Sequence, residues 1–182
     1  DLIRILGELA QRKADGNFDF ERVIIETTGL ADPAPVAQTF FVDDDIQNAY
    51  RLDGVLTVID ARHGDTQLDR HHEALEQVGF ADRLLLSKVD LIDEAAAQSL
   101  EQRLRAINSR APIQRVHFGT AELADLLDIQ GFNLDDILVI EPDFLGEDHH
   151  QHDDAVKSFV IRESRPYDGD KLELTIGLLV EK

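Results

Sequence analysis

The stretch that decides the fold runs from residue 23 to residue 33 and reads VIIETTGLADP. A short apolar run ends on Glu26 and is followed by two threonines, Gly29 and an Asp-Pro pair that can open a helix. A buried parallel strand reads as such a run, and open α/β sheets bind ligands beyond the carboxyl ends of their strands. The pattern therefore predicts a strand over 23–26. It places Glu26 where a magnesium–phosphate group would be held, and Gly29 has no side chain to block a phosphate.

A second stretch, residues 81–91, reads ADRLLLSKVDL and ends another apolar strand in Ser-Lys-x-Asp. The Asp90 carboxylate can accept hydrogen bonds from N1–H and the exocyclic amine of guanine, a pair of donors that adenine lacks. The stem of Lys88 can pack along a purine. The tetrapeptide is common by itself, but its place after a strand and downstream of the first motif favours guanine binding over two solvated loop charges.

Together with the strand of residues 54–61, GVLTVIDA, these stretches resemble the CobW-like family of P-loop GTPases. Members of that family are metallochaperones and metal-insertion accessory proteins. The resemblance covers most of residues 1–145 and extends to a start of the family's C-terminal domain near Val156. It implies a GTP-hydrolysing metallochaperone that couples nucleotide state to the delivery of zinc or cobalt.

The resemblance also implies roles for single residues. In the family the acid-x-x-Gly element senses magnesium and the γ-phosphate, which makes Glu26 and Gly29 the catalytic candidates, with Glu26 acting on Mg²⁺ through a bound water. The Lys-x-Asp element selects guanine, and Ser87 stands where family members usually carry Asn, so that it replaces only part of the Asn contact. His117 falls where GTPases bring backbone groups to guanine O6, although a structural role for it is equally open. The implied cofactors are GTP, Mg²⁺ and Zn²⁺ or Co²⁺, and the implied partner is a metal-receiving client protein.

Two family features are missing from the chain. No glycine is followed by lysine, so the Walker A loop Gly-x-x-x-x-Gly-Lys-[Ser/Thr] is absent. The chain also has no cysteine, whereas the family carries a Cys-x-Cys-Cys metal motif between Walker A and the acid-x-x-Gly strand. We therefore expect a fragment that begins just after that motif and that hydrolyses GTP negligibly by itself. A diverged homologue without nucleotide binding is the alternative, which the retained Ser-Lys-x-Asp disfavours.

The composition is strongly acidic, with 37 Asp and Glu residues against 18 Lys and Arg. This charge disfavours binding to nucleic acid, which requires a cationic surface, and binding to anionic membranes. No apolar run approaches the length of a membrane span, and the N-terminus lacks the pattern of a signal peptide. We therefore expect a cytoplasmic protein, and a homodimer is compatible with everything in the sequence.

Apolar runs that alternate with helical spacing predict an α/β fold with a mostly parallel sheet and helices on both faces. The strands are expected over 23–26, 54–60, 83–87 and 112–118. The helices are expected over 2–13, 33–41, 67–78 and 121–127, with a further helix capped by Asp93 and a loop at 43–45. Residues 1–132 are predicted to form the GTPase-like domain, 133–155 an acidic linker, and 156–182 the beginning of a small α+β C-terminal domain.

The predicted linker contains the tract GEDHHQHDD at residues 146–154. Imidazole suits zinc, nickel and cobalt, which makes His149, His150 and His152 candidate metal ligands. A flexible linker fixes no geometry, so weak and exchangeable loading is expected, and the alternative is a solvated acidic tether.

Two other functions stay open for the chain. One is a non-catalytic metal-binding or protein-interaction α/β module, in which the acidic surface and the His tract are the functional parts. The other is a different α/β enzyme of the phosphate-acceptor type, with Asp60 as an exposed catalytic acid. A helix-capping or structural role is the simpler interpretation of Asp60.

Overall fold

The computed structural model describes residues 2–29, 31–134, 137–138 and 144–145. Its strands are β1 (Leu56–Asp60), β2 (Arg83–Ser87) and β3 (Ile113–Arg115). Its α-helices are α1 (Leu2–Ala14), α2 (Ala34–Val42), α3 (Asp44–Ala49), α4 (Gly64–Arg70), α5 (His72–Phe80) and α6 (Glu94–Ile107). The chain divides into two units, residues 1–148 and 149–182, and every described residue lies in the first unit.

The three strands form one parallel sheet in the order β1-β2-β3. Helices α4 and α5 connect β1 to β2, and α6 connects β2 to β3. The register places Asp60 beside Ser87 and Leu86 beside Arg115, so the carboxyl ends of the strands lie along one edge of the sheet. The α/β fold with a parallel sheet, predicted from the alternating pattern, is confirmed.

The core is built between this sheet and the helices that connect its strands. Leu84 and Leu86 of β2 are 0% exposed and belong to the same buried cluster as Leu100 and Leu104 of α6. The two leucines of α6 are four residues apart and therefore share one face of the helix. The predicted cap of this helix is also confirmed, because Asp93 Oδ1 accepts a hydrogen bond from Ala96 N at 2.8 Å.

A buried asparagine joins the end of α6 to the end of α5. The side-chain amide of Asn108 donates to the carbonyl oxygens of Val78 and Ala81, both at 2.8 Å, and its Oδ1 accepts from Ala111 N at 3.1 Å. Asn108 is only 4% exposed. A single polar side chain thus satisfies backbone groups that precede β2 and β3, which would otherwise lack partners.

The strand predicted over 23–26 is wrong. Residues 22–28 adopt no regular structure, and Ile24 is 85% exposed. A strand is completed only by hydrogen bonds to a neighbour, and none of the described strands pairs with this segment. An apolar run without a partner strand therefore stays irregular.

Two further predictions need correction. The expected loop at 43–45 is instead the start of α3, because Asp43 Oδ1 caps the helix by accepting from Ile46 N at 3.0 Å and acidic residues suit a helix N-terminus. The helix expected over 67–78 is two helices, since His71 adopts an extended conformation (φ −125°, ψ 119°) between α4 and α5.

The predictions near the end of the described region hold in part. The strand expected over 112–118 is shorter, and the helix expected over 121–127 is a single 3₁₀ turn, Leu123–Asp125. Ile137 and Phe144, which fall in the predicted linker, are each 3% exposed and pack in one cluster with Phe80. The predicted domain boundaries stay predictions. In the part of the chain described here, no helix is long and apolar enough to cross a membrane.

Candidate functional site

The Ser-Lys-x-Asp segment lies at the carboxyl end of β2, the central strand of the sheet. Ser87 is the last residue of β2, and Lys88 follows it in the left-handed conformation with φ 59° and ψ 30°. This conformation is uncommon for a residue with a side chain. The Lys88 ammonium lies 2.7 Å from Asp60 Oδ2, at the end of the neighbouring strand β1.

Asp60 is a well-supported acceptor at this edge. Its Oδ1 accepts from the backbone amides of Arg62 at 2.8 Å and His63 at 3.2 Å, and its Oδ2 lies 3.2 Å from His63 Nδ1. Burial by itself raises the pKa of Asp60, but the hydrogen bonds from Lys88, His63 and the two amides outweigh it and lower the pKa to about 2. The carboxylate is therefore charged at neutral pH and anchors Lys88. The sequence suggested a structural role for Asp60. It did not predict that this role includes the contact with Lys88.

Asp90 and His117 face each other across the ends of β2 and β3. Asp90 lies in the 3₁₀ turn Val89–Leu91, and His117 lies two residues beyond the last residue of β3. His117 Nδ1 is 3.6 Å from Asp90 Oδ1, and both side chains are largely exposed. The backbone of the His117 loop is closed by a hydrogen bond from Thr120 N to His117 O at 2.9 Å.

The structure thus brings four of the predicted residues to one edge of the sheet: Ser87, Lys88, Asp90 and His117. Ligands of open α/β sheets bind at this edge. An exposed carboxylate, a lysine stem and a backbone loop there can recognise a planar base that carries adjacent N–H donors. Recognition of guanine by these residues stays a prediction from the sequence.

Two other predicted residues, Glu26 and Gly29, lie before α2 in a segment without a helix or strand. Both are exposed, and the carboxylate of Glu26 makes no hydrogen bond or ion pair with any residue in the described ranges. The turn that contains Gly29 is closed by a hydrogen bond from Ala31 N to Thr28 O at 3.1 Å. The structure does not bring Glu26 into contact with the residues at the ends of β2 and β3.

This turn has one partner that the sequence analysis did not identify. The side-chain amide of Gln77, on α5, donates to Ala31 O at 2.7 Å and lies 3.4 Å from Thr28 O. A glutamine in an amphipathic helix gives no sequence signal for such a contact, because its partner lies far away in the chain. Only the packing of α5 against the loop reveals it.

The predicted metal ligands lie partly within the described residues and partly outside them. Among the described residues, no group of three or more His, Cys, Asp or Glu side chains could hold a metal ion. The single exposed carboxylate of Glu26 is compatible with an Mg²⁺ ion that phosphate and water chiefly bind, as is usual for this ion, and its role in magnesium binding stays a prediction. The candidate ligands His149, His150 and His152 lie outside the described residues.

The parallel sheet and the helices that connect its strands define an α/β protein with a candidate ligand site at the carboxyl edge of the sheet. The particular family follows from comparison with known proteins: the chain belongs to the CobW/HypB/UreG family, whose nucleotide-binding domain matches residues 1–115. The resemblance seen in the sequence is confirmed.

Similar proteins carry names that refer to zinc and GTP. The zinc chaperone YjiA of Escherichia coli K12 is 41% identical over 154 residues, which cover 84% of this chain and 47% of YjiA. The zinc-regulated GTPase metalloprotein activator 1 of Schizosaccharomyces pombe is 36% identical over 132 residues, or 71% of this chain and 31% of that protein. The chain thus spans about half of the first relative and about a third of the second.

A solved structure supports the same relationship. The crystal structure of Zn(II)-bound YjiA GTPase from E. coli matches with a TM-score of 0.64 and 43% sequence identity. The match covers 69% of this chain and 39% of that one. The match shows that the parallel sheet described above has the same fold as the corresponding part of YjiA.

Proposed function

We propose that this chain provides the guanine-recognising part of a cytoplasmic, GTP-hydrolysing metallochaperone that delivers a transition metal, zinc in the first place. The observation that carries the proposal is the edge formed by Asp60, Lys88, Asp90 and His117, in a chain of the CobW/HypB/UreG family. The names of the relatives support GTP as the nucleotide and zinc as the cargo.

Base recognition is assigned to the residues at the ends of β2 and β3. Asp90 accepts from guanine N1–H and from the exocyclic amine, and the Lys88 stem packs along the purine while its ammonium stays on Asp60. Backbone groups of the His117 loop reach O6, and the Ser87 hydroxyl replaces part of the contact that Asn makes in other family members. Because adenine presents no such pair of donors to Asp90, the site favours GTP over ATP.

Phosphoryl transfer depends mainly on positioning and on charge stabilisation. Glu26 would hold a water of the magnesium ion, and the exposed Gly29 leaves its backbone N–H open to the γ-phosphate. The magnesium ion would supply positive charge beside the phosphates. Loss of the γ-phosphate would then reorder the loop after Gly29, an order–disorder change that GTPases use as a switch.

Delivery of the cargo is assigned to ligands outside the described residues. Neutral imidazoles of His149, His150 and His152 bind Zn²⁺ weakly and exchangeably, and the metal passes to a client protein. Binding fades as the pH falls through the histidine range, because protonated imidazole does not coordinate a metal.

The test is Asp90→Asn in the complete gene product. We expect weaker GTP binding and a shift toward xanthine nucleotides, whose C2 carbonyl can accept a hydrogen bond from the new amide. The measurement is a competition assay with GTP and XTP. Asp125→Asn is the matched control, because Asp125 is also an exposed acid in a 3₁₀ turn but lies outside the proposed site.

The same assay separates the competing function. A non-catalytic metal-binding module predicts no preference between nucleotides and no effect of Asp90→Asn. If GTP affinity is unchanged in Asp90→Asn, Asp90 does not read the base and the proposed site is wrong.

A further inference from the structure

We infer that Gln77 is a positioning residue that fixes the Gly29 turn for recognition of the γ-phosphate. The inference rests on the proposed function, in which the backbone around Gly29 senses that phosphate. Its evidence is the half-buried amide of Gln77, which donates to Ala31 O at 2.7 Å and lies 3.4 Å from Thr28 O. One side chain therefore holds both ends of the turn that contains Gly29.

The chain is also held outside the turn, because Arg22, which precedes it, pairs with Asp128. Beyond Ala31 the chain is secured a second time, because Asp32 Oδ1 accepts from Ala34 N at 2.9 Å at the start of α2. Before Thr28, residues 22–28 are irregular. A Cβ atom placed on Gly29 would meet nothing within 4 Å, which leaves room for a phosphate beside it. Gln77 therefore holds the turn to α5 at the point where the irregular segment ends.

The anchor itself stands on a rigid support. The backbone oxygen of Gln77 accepts a hydrogen bond from Thr57 Oγ1 of β1 at 2.8 Å. The next residue, Val78, is 2% exposed, and its carbonyl accepts from the buried Asn108. Helix α5 is therefore held to the sheet at the point where Gln77 extends to the loop. The same strand β1 ends in Asp60, which anchors Lys88.

Fixing the turn in advance reduces the ordering cost of binding. A loop that must be ordered by its ligand lowers the ligand's affinity, whereas a preorganised loop does not. The γ-phosphate contacts this loop in the proposed mechanism and GDP has no γ-phosphate. Loss of the Gln77 amide should therefore weaken GTP and leave GDP unchanged.

The experiment compares Gln77→Met, Gln77→Glu and Gln77→Lys in the complete gene product, with GTPγS and GDP affinities measured by calorimetry. Met keeps the shape but removes the donor, Glu places an acceptor against two carbonyls, and Lys restores a donor. We expect about a threefold to tenfold loss of GTPγS affinity for Met, the size of one net hydrogen bond. The loss should be larger for Glu and mostly recovered for Lys, with GDP affinity at the wild-type value in all three.

Gln98→Met is the matched control, because the Gln98 amide donates only within α6, to Glu94 Oε1 at 2.9 Å. Thermal unfolding of each variant detects a general loss of structure. If Gln77→Met or Gln77→Glu is unfolded, the nucleotide affinities of Gln77→Lys are compared with those of the wild type instead. An equal loss of GTPγS and GDP affinity, or no loss for Met and Glu, overturns the inference.

Asp90→Asn in the same assay distinguishes a failure of the inference from a failure of the proposed function. If Asp90→Asn lowers the affinity for both nucleotides while the Gln77 variants have no effect, only the inference fails. If it too has no effect, the proposed function fails.

Discussion

The two groups of candidate residues differ in what holds them. Lys88 and Asp90 follow a strand that is buried in the centre of the sheet, and Lys88 is tied to Asp60 on the adjacent strand. Glu26 and Gly29 lie in an exposed segment without regular structure, and the turn around Gly29 is tied to the rest of the protein through Gln77. The proposed base-side residues, Lys88 and Asp90, are therefore positioned by the core, and the turn of the proposed phosphate-side segment, which carries Glu26 and Gly29, by a few hydrogen bonds.

This difference suits the two tasks of the proposed function. Guanine is the same in GTP and GDP, so its site gains from being rigid, whereas a sensor of the γ-phosphate has to differ between the two states. Segments that move are drawn from the least stable parts of a structure. Substitutions in the two groups test this division, and their expected effects on stability range from several kcal/mol to almost none.

The largest effect is expected for Leu86→Ala, which opens a cavity in the centre of β2. Leu86 is 0% exposed, and we expect a loss of about 2–5 kcal/mol in the free energy of unfolding, measured by urea denaturation. Ile24→Ala is the control: at 85% exposure it should change the same quantity by less than about 0.5 kcal/mol. Comparable losses at the two positions would show that the phosphate-side segment is packed in the core after all.

A smaller loss is expected for Asn108→Ala. The change leaves buried carbonyl groups at the end of α5 without their donor, which costs about 1–3 kcal/mol. Asn48→Ala, at an exposed position of α3, is the control and should leave stability nearly unchanged. Equal urea midpoints for wild type and Asn108→Ala would remove this side chain from the support of α5.

The Asp60–Lys88 contact predicts a dependence on pH. Because the folded state lowers the pKa of Asp60 from 3.8 to about 2, its contribution to stability is fully present above pH 3.8 and is lost as the pH falls toward 2. Asp60→Asn should therefore cost about 1 kcal/mol at pH 7, as for a partly exposed ion pair. The difference from wild type should shrink between pH 4 and pH 2 in urea titrations. A difference that is constant over this range contradicts the assignment.

The smallest effect on stability is expected for Glu26→Gln. The carboxylate is exposed and makes no hydrogen bond or ion pair with the residues that the structure describes. The free energy of unfolding should therefore change by less than about 0.5 kcal/mol. The proposed mechanism predicts that the same change lowers magnesium-dependent GTP hydrolysis by the complete gene product. A variant that loses stability but keeps full turnover would assign Glu26 to structure instead.

The sequence by itself determined the elements whose signals are local. The run at residues 83–87 is the central strand with the bounds predicted for it, and the Asp93 cap opens α6 with its buried leucine face. Lys88 and Asp90 were placed correctly at the end of that strand, because their position depends only on where the strand ends. The resemblance to the CobW-like family required no tertiary information, since it rests on these short motifs.

The tertiary structure alone decided the features that depend on partners distant in the sequence. An apolar run at 23–26 predicts a strand, but a strand needs a neighbour, and the described strands pair elsewhere. The contact of Lys88 with Asp60 spans 28 residues of the chain, and that of Gln77 with Ala31 spans 46. No local sequence pattern predicts contacts over such distances. Spacing along the chain specifies which side chains can serve a site, and the packing of helices and strands specifies which of them are held in place.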